Sequence, residues 1–574
     1  MGVYFDLGRP VVGGWMGGGW VSHDPVRRVD LLWGAEFGQE GAVLFGVNVD
    51  TGAVVERHRI GAREFSAIVQ HATGTLWIYT YHGINQPGNL LLSWRPETRR
   101  LTSHGFPPLS GQRFVGAIFG LDGRLYLGTH PHGHLVSFDP QDETWRDHGC
   151  QAPPPIIPDQ HIWCRPVAVT EDGAIVCNIV RERPGQIIAF HPRTGETRQL
   201  TEMPGELVHR STGQPKVTAN MRERTYTDAR HAPPVTRRFD YEPCVATDIV
   251  GLNKGPDGKI YGSTIISMHL FCFDPQTREL KDLGRVGWDG GEIYDVIAYK
   301  DKLYMGSYTG AHFAVYDPSK PWNPRPDTQG MAEDANPRNF GPLGEDMNRP
   351  FEYAVGPDDR LYIACRANYG IPGGGLARFD PQTEAKKVFR DPAQSVQSVA
   401  ADDRYVYGGT SIRGGRGCVD VTTQAKLFLF DPQRERRVYE CVPVAEAIAV
   451  TSLAISPVTR LIYGATDTGH LFAFDCDERQ VVKVWKLRSQ GTPLMGVPEA
   501  YGIIHLTAGS DGDIYGVTRT DVFKLDVSLD RVIYLDPPPI PDLYQIVEGA
   551  PGVFYIGARS HLLEYHLKDT PHYR

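Results

Sequence analysis

Histidines and tyrosines with the potential for proton transfer follow short strands of the form Leu/Ile-Tyr-x-Gly-Thr/Ser. His82 and His130 occupy equivalent loops in adjacent repeats, and Tyr308 and Tyr369 occupy the same loop in two later repeats. Histidine carries protons readily near neutral pH, and a tyrosine phenol can act as a second proton-transfer group. We therefore expect His82 and His130 to converge across one cleft. For each tyrosine, ring packing with a locally bonded hydroxyl is the alternative interpretation.

Arginines recur around these loops. Arg113, Arg165 and Arg349 lie where the first strands of their repeats begin, His161 accompanies Arg165, and Arg366 follows a second strand. The arginine fork binds carboxylates, and aromatic rings stack on sugar rings. The pattern therefore predicts a cationic, aromatic-lined cleft that suits an anionic, sugar-like ligand.

Three histidines at every second position, His130, His132 and His134, resemble the ligands of a metal site. Such residues share a face only on an extended segment, whereas the intervening proline and glycine predict a turn. A divalent metal (Ca²⁺, Mn²⁺ or Zn²⁺), held by residues such as His132 and Glu292, stays an alternative. No organic cofactor is expected.

One class of histidine recurs just before the third strand of a repeat. A residue that returns with the repeat is expected to make a structural hydrogen bond rather than to catalyse. The members are His134, His269, His312 and His470.

The elements that position these residues are about ten copies of one unit. Each copy has a short apolar strand, a turn such as Asp-Gly, the Tyr-x-Gly-Thr strand, a strand ending in Phe-Asp-Pro and a polar strand. The second strands begin near Leu76, Leu125, Ile175, Ile260, Leu303, Leu361, Val406, Ile462, Ile514 and Phe554, with a degenerate eleventh copy at Val43–Val54. Four short strands in roughly 50 residues are typical of one propeller blade.

The sequence thus predicts an all-β fold, a β-propeller of four-stranded repeats. We favour one large toroid forming a single domain over residues 1–574, with the N-terminal strand pairing with the last repeat; seven or eight blades plus decorations are the alternative. Long loop insertions are predicted at about 201–240, which is rich in arginine, and at 319–350. Such loops act as lids or are simply solvated.

Composition excludes several classes of function. The net charge of −9 leaves no basic excess for a nucleic-acid backbone. No apolar run reaches transmembrane length, so no membrane partner is expected. Nine cysteines without a Cys-x-x-Cys pair favour a reducing compartment. The first residues lack leader features, so a cytoplasmic location is expected, or a secreted or periplasmic one if a leader was removed.

The repeats at Leu125–Pro140 and Leu303–Pro318 resemble those of propeller-fold polysaccharide lyases, of the ulvan lyase and rhamnose–glucuronate lyase type. The resemblance covers the repeated body of the chain and implies β-elimination across a uronic acid in an acidic carbohydrate, often with a divalent metal. It implies His82 and His130 as base and acid, with Tyr308 or Tyr369 as alternate donor. Arg366, Arg113 or Arg165 would pair with the uronate carboxylate, because a fixed cation makes the adjacent C–H more acidic.

Two other functions stay open. A metal-dependent propeller hydrolase, lactonase or streptogramin-type lyase would use Glu242, Glu292 and Glu352, which lie near three strand starts. A non-catalytic propeller would bind a glycan or a protein on one face. Convergent His, Tyr and Arg favour elimination, whereas convergent Glu around a metal favours the hydrolase.

Overall fold

The computed structural model describes residues 2–38, 41–60, 64–81, 90–105, 107, 109, 112–153, 162–180, 185–210, 217–221, 223–287, 291–493, 502–528 and 530–568. Its contacts divide the chain into two compact units. Unit 1 comprises residues 1–12 and 246–574, and unit 2 comprises residues 13–245. The prediction of a single domain stays a prediction.

The described residues contain fifty strands and a single 3₁₀ turn, Pro326–Thr328, as their helical segment. The all-β prediction is confirmed. Among these residues, no helix has the length and apolarity needed to span a bilayer.

The chain begins with β1 (Gly2–Asp6), which belongs to unit 1, and continues into the sheets of unit 2. These strands are β2 (Trp15–Asp24), β3 (Val29–Gly38), β4 (Gly41–Asn48), β5 (Val54–Ile60), β6 (Glu64–Gln70), β7 (Leu76–Tyr81), β8 (Leu91–Arg95), β9 (Arg100–Ser103), β10 (Arg113–Phe119), β11 (Leu125–His130), β12 (His134–Asp139), β13 (Thr144–Cys150), β14 (Trp163–Thr170), β15 (Ile175–Val180), β16 (Gln186–Phe190), β17 (Thr197–Leu200), β18 (Leu207–Arg210), β19 (Val217–Asn220), β20 (Thr225–Asp228) and β21 (Val235–Arg238).

Unit 2 contains four antiparallel sheets, β2–β5, β6–β9, β10–β13 and β14–β17, whose first strands contact each other in that order. The region predicted as a long loop at 201–240 instead contains four strands. Of these, β18 pairs with the free edge of β14, and β19–β21 form a three-stranded sheet. The small sheet packs its apolar side chains on β3 and β4, so it covers a sheet face that would otherwise be exposed.

The remaining strands form unit 1. They are β22 (Ile249–Lys254), β23 (Ile260–Thr264), β24 (His269–Phe273), β25 (Leu280–Arg285), β26 (Ile293–Tyr299), β27 (Lys302–Ser307), β28 (His312–Tyr316), β29 (Arg338–Pro342), β30 (Met347–Val355), β31 (Leu361–Ala367), β32 (Gly374–Phe379), β33 (Lys386–Asp391), β34 (Ser395–Ala401), β35 (Val406–Ser411), β36 (Leu427–Asp431), β37 (Arg436–Cys441), β38 (Val450–Ile455), β39 (Ile462–Thr466), β40 (His470–Asp475), β41 (Gln480–Lys486), β42 (Thr492–Pro493), β43 (Gly502–Ile503), β44 (His505–Ala508), β45 (Ile514–Val517), β46 (Val522–Asp526), β47 (Arg531–Tyr534), β48 (Leu543–Ala550), β49 (Val553–Ala558) and β50 (His561–Leu567).

Seven four-stranded antiparallel sheets make up unit 1, together with the two-stranded sheet β42–β43. Six follow the chain order, and the seventh adds β1 to β48–β50, with Gly2 opposite Leu567. The predicted pairing of the N-terminal strand with the last repeat is therefore confirmed. The first strands contact each other in the order β22, β26, β30, β34, β38, β44, β48, and β48 contacts β22. The arrangement is propeller-like, whereas one toroid containing every repeat stays a prediction.

Each of the ten predicted copies marks the second strand of one of these sheets, and the degenerate copy spans β4 and β5. The repeat motif has a local cause: the tyrosine hydroxyl of the second strand donates to the aspartate of the preceding turn, which ties the turn to the strand. The pairs are Tyr126–Asp122, Tyr261–Asp257, Tyr362–Asp358, Tyr407–Asp402 and Tyr515–Asp511, at 2.7, 2.9, 3.0, 2.8 and 2.8 Å.

The motif glycine has a packing role. A Cβ at Gly262, Gly408 or Gly464 would overlap the ring of the phenylalanine on the neighbouring third strand. Glycine thus lets an aromatic ring lie directly on the sheet backbone.

The recurrent histidines are structural, as predicted. Three such side chains donate Nδ1–H to an aspartate of the outermost strand: His134 to Asp147, His269 to Asp282, and a further copy, His561, to Asp6, at 3.1, 2.9 and 3.0 Å. His312 contacts Asn339 on the outermost strand, whereas His470 contacts Thr468 in the turn before its own strand. Except for that of His470, these bonds join the third strand to the outermost one.

The insertion at 319–350 also has internal order. Within it lie the 3₁₀ turn, β29 and the start of β30. The buried Asn336 side chain donates to the Asp317 carbonyl at 2.9 Å, and Arg325 bridges Asp327 and Asp334. These bonds make the segment a defined surface structure.

Candidate functional site

Four of the predicted residues meet at one edge of unit 1. Glu292 directly precedes β26, and Arg349 lies at the start of β30. Tyr308 follows β27, and Tyr369 follows β31. Loops after second strands and the starts of first strands therefore open on the same face here, as the repeat pattern predicts.

Arg349 forms the centre of the cluster. Its side chain is 4% exposed, and its Cζ lies 3.8 Å from the centroid of the Tyr308 ring. One Nη donates to the Tyr294 hydroxyl and lies 3.5 Å from Glu292 Oε2. The Tyr294 hydroxyl in turn donates to Glu292 at 3.1 Å. Glu292 and Tyr294 thus hold the guanidinium against the ring of Tyr308.

The Tyr308 and Tyr369 hydroxyls contact each other at 2.6 Å. Burial raises the pKa of the Tyr308 phenol, and the contact with Tyr369 raises it further despite the Arg349 charge. Burial also tends to raise the pKa of Tyr369, but the Tyr308 hydrogen bond and the charges of Arg349 and Arg416 outweigh it, so the pKa is lowered. The environment therefore gives the two phenols different acidities: Tyr308 keeps its proton, whereas Tyr369 loses its proton more readily.

Arg416 is part of this cluster but is not among the residues predicted from the sequence. Its backbone carbonyl accepts from Gly370 N at 3.0 Å, and its half-buried guanidinium interacts with the Tyr369 hydroxyl. Among the described residues, no carboxylate forms an ion pair with it, whereas Arg413 in the same loop pairs with Asp420. Arg416 also follows a second strand, and this position could have indicated it from the sequence. It lies, however, at the end of a longer glycine-rich stretch.

Arg366 lies opposite Arg349 in the β30–β31 register. Its side chain is buried, and its Nε donates to the Gly414 carbonyl, so this face of the guanidinium anchors the loop that carries Arg416. A role in binding a carboxylate stays a prediction for Arg366.

A second set of acidic groups lies deeper among the first strands. Burial raises the pKa of Asp295 to about 7, although Val296 N donates to its carboxylate at 2.8 Å. Burial and the charge of Asp295 raise the pKa of Glu352, whose carboxylate accepts from Val399 N at 3.0 Å. The Glu352 residue keeps partial exposure.

The predicted metal site stays a prediction. The Glu292 carboxylate already accepts from Tyr294 and Arg349, and Glu352 is bonded to a neighbouring first strand. Glu242 and His132 belong to unit 2. In the part of the chain that the structure describes, no three His, Cys, Asp or Glu side chains gather as ligands of one ion.

In unit 2 the structure brings Arg113 and His130 together. They face each other across β10 and β11, and the indole of Trp163 lies 4.0 Å from the His130 ring and 4.8 Å from Arg113 Cζ. His130 is 3% exposed, so it packs within the unit. The three side chains form an aromatic and cationic stack in which His130 is buried and Arg113 and Trp163 are partly exposed.

The other predicted residues of unit 2 lie around this stack. His132 is exposed and pairs through its backbone with Ile162, and the exposed Arg165 donates Nε to the Val115 carbonyl at 3.1 Å. His82 and His161 lie outside the described residues. The predicted convergence of His82 with His130 therefore stays a prediction.

Compared with the models of known protein families and with curated proteins, the sequence matches none of them.

Proposed function

We propose that unit 1 carries the site of a lyase that cleaves a uronic-acid-containing glycan by β-elimination. The observation that carries the proposal is the 2.6 Å contact between the Tyr308 and Tyr369 hydroxyls beside two arginines. Elimination needs a base, an acid and a cation that stabilises negative charge next to the reacting carbon. The cluster contains one side chain suited to each role.

The lowered pKa of Tyr369 makes its phenolate the base that removes the proton from C5 of the uronate. The C5–H electrons form the C4–C5 double bond, and the C4–O bond breaks. Tyr308, whose pKa is raised, donates its proton to the departing oxygen. Because the two hydroxyls are in contact, the proton held by Tyr369 can pass to Tyr308 and restore the starting state.

Arg416 is the cation best placed to bind the uronate carboxylate. It is half-buried beside Tyr369 and has no carboxylate ion pair among the described residues, whereas Arg349 is already bonded to Tyr294 and Glu292. Neutralising the carboxylate acidifies C5–H and stabilises the enolate-like transition state. Arg349 instead positions Tyr308 and lowers the pKa of Tyr369.

We also propose that the seven sheets of unit 1 form a closed seven-bladed propeller with this site on one face. The cyclic order of first-strand contacts and the addition of β1 to the last sheet support this arrangement. The pairing of β1 with β50 supplies the outermost strand of the last sheet and so ties the N-terminal strand to the C-terminal repeat.

The direct test is incubation of the purified protein with pectate, alginate, hyaluronan and glucuronoxylan, with the ultraviolet absorbance of unsaturated uronate as the readout. A rising signal that depends on Tyr369 supports elimination, and an unchanged rate after addition of EDTA supports proton transfer by side chains alone. Glycan binding on an affinity gel without any unsaturated product would replace the lyase proposal with a non-catalytic, glycan-binding one.

A further inference from the structure

A groove at the outer rim of unit 1 lies between the sheets β30–β33 and β34–β37, apart from the tyrosine cluster. It has a volume of about 460 Å³, within the range of small-molecule sites. Its apolar wall includes the half-buried Phe389, whose ring lies 4.6 Å from that of Phe430. On the same wall, Arg437 Cζ lies 3.8 Å above the ring of Phe428.

Ion pairs between the two sheets hold this groove in shape. Arg437 bonds Asp391 across the groove at 2.8 Å, and Glu435 accepts from Arg378 at 2.8 Å and from Lys387. Since partners come from both sheets, the walls are tied to each other. Partly buried pairs of this kind fix geometry more than they add stability.

The lining carries an excess of positive charge. Four basic side chains and three acidic ones line the groove. Each carboxylate already has at least one basic partner: Asp391 has Arg437, Glu440 has Lys426, and Glu435 has the two named above. The exposed Arg390 and Arg436 form no ion pair with any described carboxylate. The net charge of the whole chain is −9, so the charge of this groove is opposite in sign to that of the chain.

We propose that this groove binds a small aromatic carboxylate. The partly exposed Phe389 contacts the ligand ring, and the exposed guanidinium groups of Arg390 and Arg436 bind the carboxylate. The excess of basic side chains favours an anionic ligand over a cationic one, and the volume suits a single-ring molecule. The site is independent of the tyrosine cluster and of any lyase activity.

Fluorine NMR with para-fluorophenylacetate tests the proposal on the full chain. We expect saturable line broadening with the wild-type protein, and none with para-fluorobenzylamine, which has the opposite charge, or with fluoroacetate, which has no ring. The Arg390→Ala/Arg436→Ala double variant should bind about tenfold more weakly or worse, because charged hydrogen bonds are lost.

Arg531→Ala is the matched control. Arg531 is an exposed arginine of an outermost strand in another sheet, without an ion pair among the described residues, and its loss should leave binding unchanged. Circular dichroism verifies that each variant is folded. The proposal is overturned if the wild type shows no saturable binding at millimolar ligand, if the double variant binds like the wild type, or if the benzylamine or fluoroacetate binds equally well.

Discussion

Both units place an arginine over an aromatic ring, but the two stacks differ in what the ring carries. In unit 1 Arg349 lies over Tyr308, whose hydroxyl meets that of Tyr369. In unit 2 Arg113 lies over the Trp163 indole, which packs on the buried His130. The cation–π geometry is similar, yet only the first stack can exchange a proton through the stacked ring. The ring of the first stack bears a titratable hydroxyl that contacts a second one, whereas the indole of the second stack bears no titratable group.

The first strands of the two units also differ in the titratable side chains that they carry. Unit 1 places Asp295 and Glu352 on its first strands, with raised pKa values. The corresponding stretches of β10 and β14 in unit 2 carry Val115, Gly116 and Val167. Burying carboxyl groups costs stability unless they are bonded or protonated. Unit 1 thus carries carboxyl groups at first-strand positions where β10 and β14 of unit 2 carry valine or glycine.

The largest expected effect is loss of turnover in Tyr369→Phe. Removing the phenol eliminates the base, and general base catalysis contributes about 10²- to 10⁴-fold, so kcat should fall by about 10³-fold with KM little changed. The measurement is the initial rate of unsaturated product formation. Tyr405→Phe, on the same unit but outside the cluster, is the control and should retain full activity. Equal rates in Tyr369→Phe and wild type would show that the stack of unit 1 takes no part in catalysis, and in this respect it would not differ from the stack of unit 2.

The second prediction concerns Asp295. Its pKa of about 7 lies above the ordinary 3.8, so the folded state binds this proton more tightly than the unfolded state does. Stability should therefore decrease as pH rises from about 4 to about 7 and level off above that. Asp295→Asn removes this loss and should raise the free energy of unfolding near pH 8 by at most about 4 kcal/mol.

Thermal denaturation of wild type and Asp295→Asn at about pH 5 and about pH 8 measures this effect. The variant should gain most at the higher pH, and Glu352 contributes in the same direction because its pKa is also raised. A variant that loses stability equally at both pH values would mean that the Asp295 carboxylate is bound as an anion in the folded state.

The third prediction concerns His130, which lies in the stack of unit 2. His130→Ala removes a buried ring that packs on Trp163, and should lower the stability of unit 2 by about 2 kcal/mol. Elimination activity, normalised to folded protein, should be unchanged. Loss of activity with an unchanged melting curve would instead support the sequence-based assignment of His130 as an acid or base.

The repeat architecture was predictable because the same local contacts recur in many copies. The tyrosine–aspartate turn bond recurs in five copies and the glycine beneath a phenylalanine ring in several, so the pattern places the second strands. Tyr308 and Tyr369 were predictable for a related reason, since equal positions in neighbouring repeats lie near each other in space.

The division into two units and the role of Arg416 were not predictable in this way. The repeats continue through Val245 and Ala246 without a linker, so the boundary depends on which sheets contact each other rather than on composition. Arg416 lies in a loop whose length differs from those of the other repeats, and its approach to Tyr369 is set by backbone bonds such as Gly415 N to the Ile371 carbonyl. When loop lengths differ between repeats, the contacts between these loops produce no periodic pattern in the sequence.

The smallest expected effect is that of Arg416→Gln, which tests the electrostatic part of the comparison. The charge of Arg416 lowers the pKa of Tyr369, so its removal raises that pKa. Because the base acts when deprotonated, the rise of kcat/KM with pH should move to higher pH. At neutral pH the rate should fall about tenfold, equivalent to roughly 1.4 kcal/mol. Arg416→Lys should restore most of the rate, since it keeps the charge but not the fork geometry.

The contradicting result is an Arg416→Gln pH profile of unchanged shape with a uniformly higher KM. Arg416 would then only bind the substrate carboxylate, and Arg349 would be the cation that sets the acidity of Tyr369.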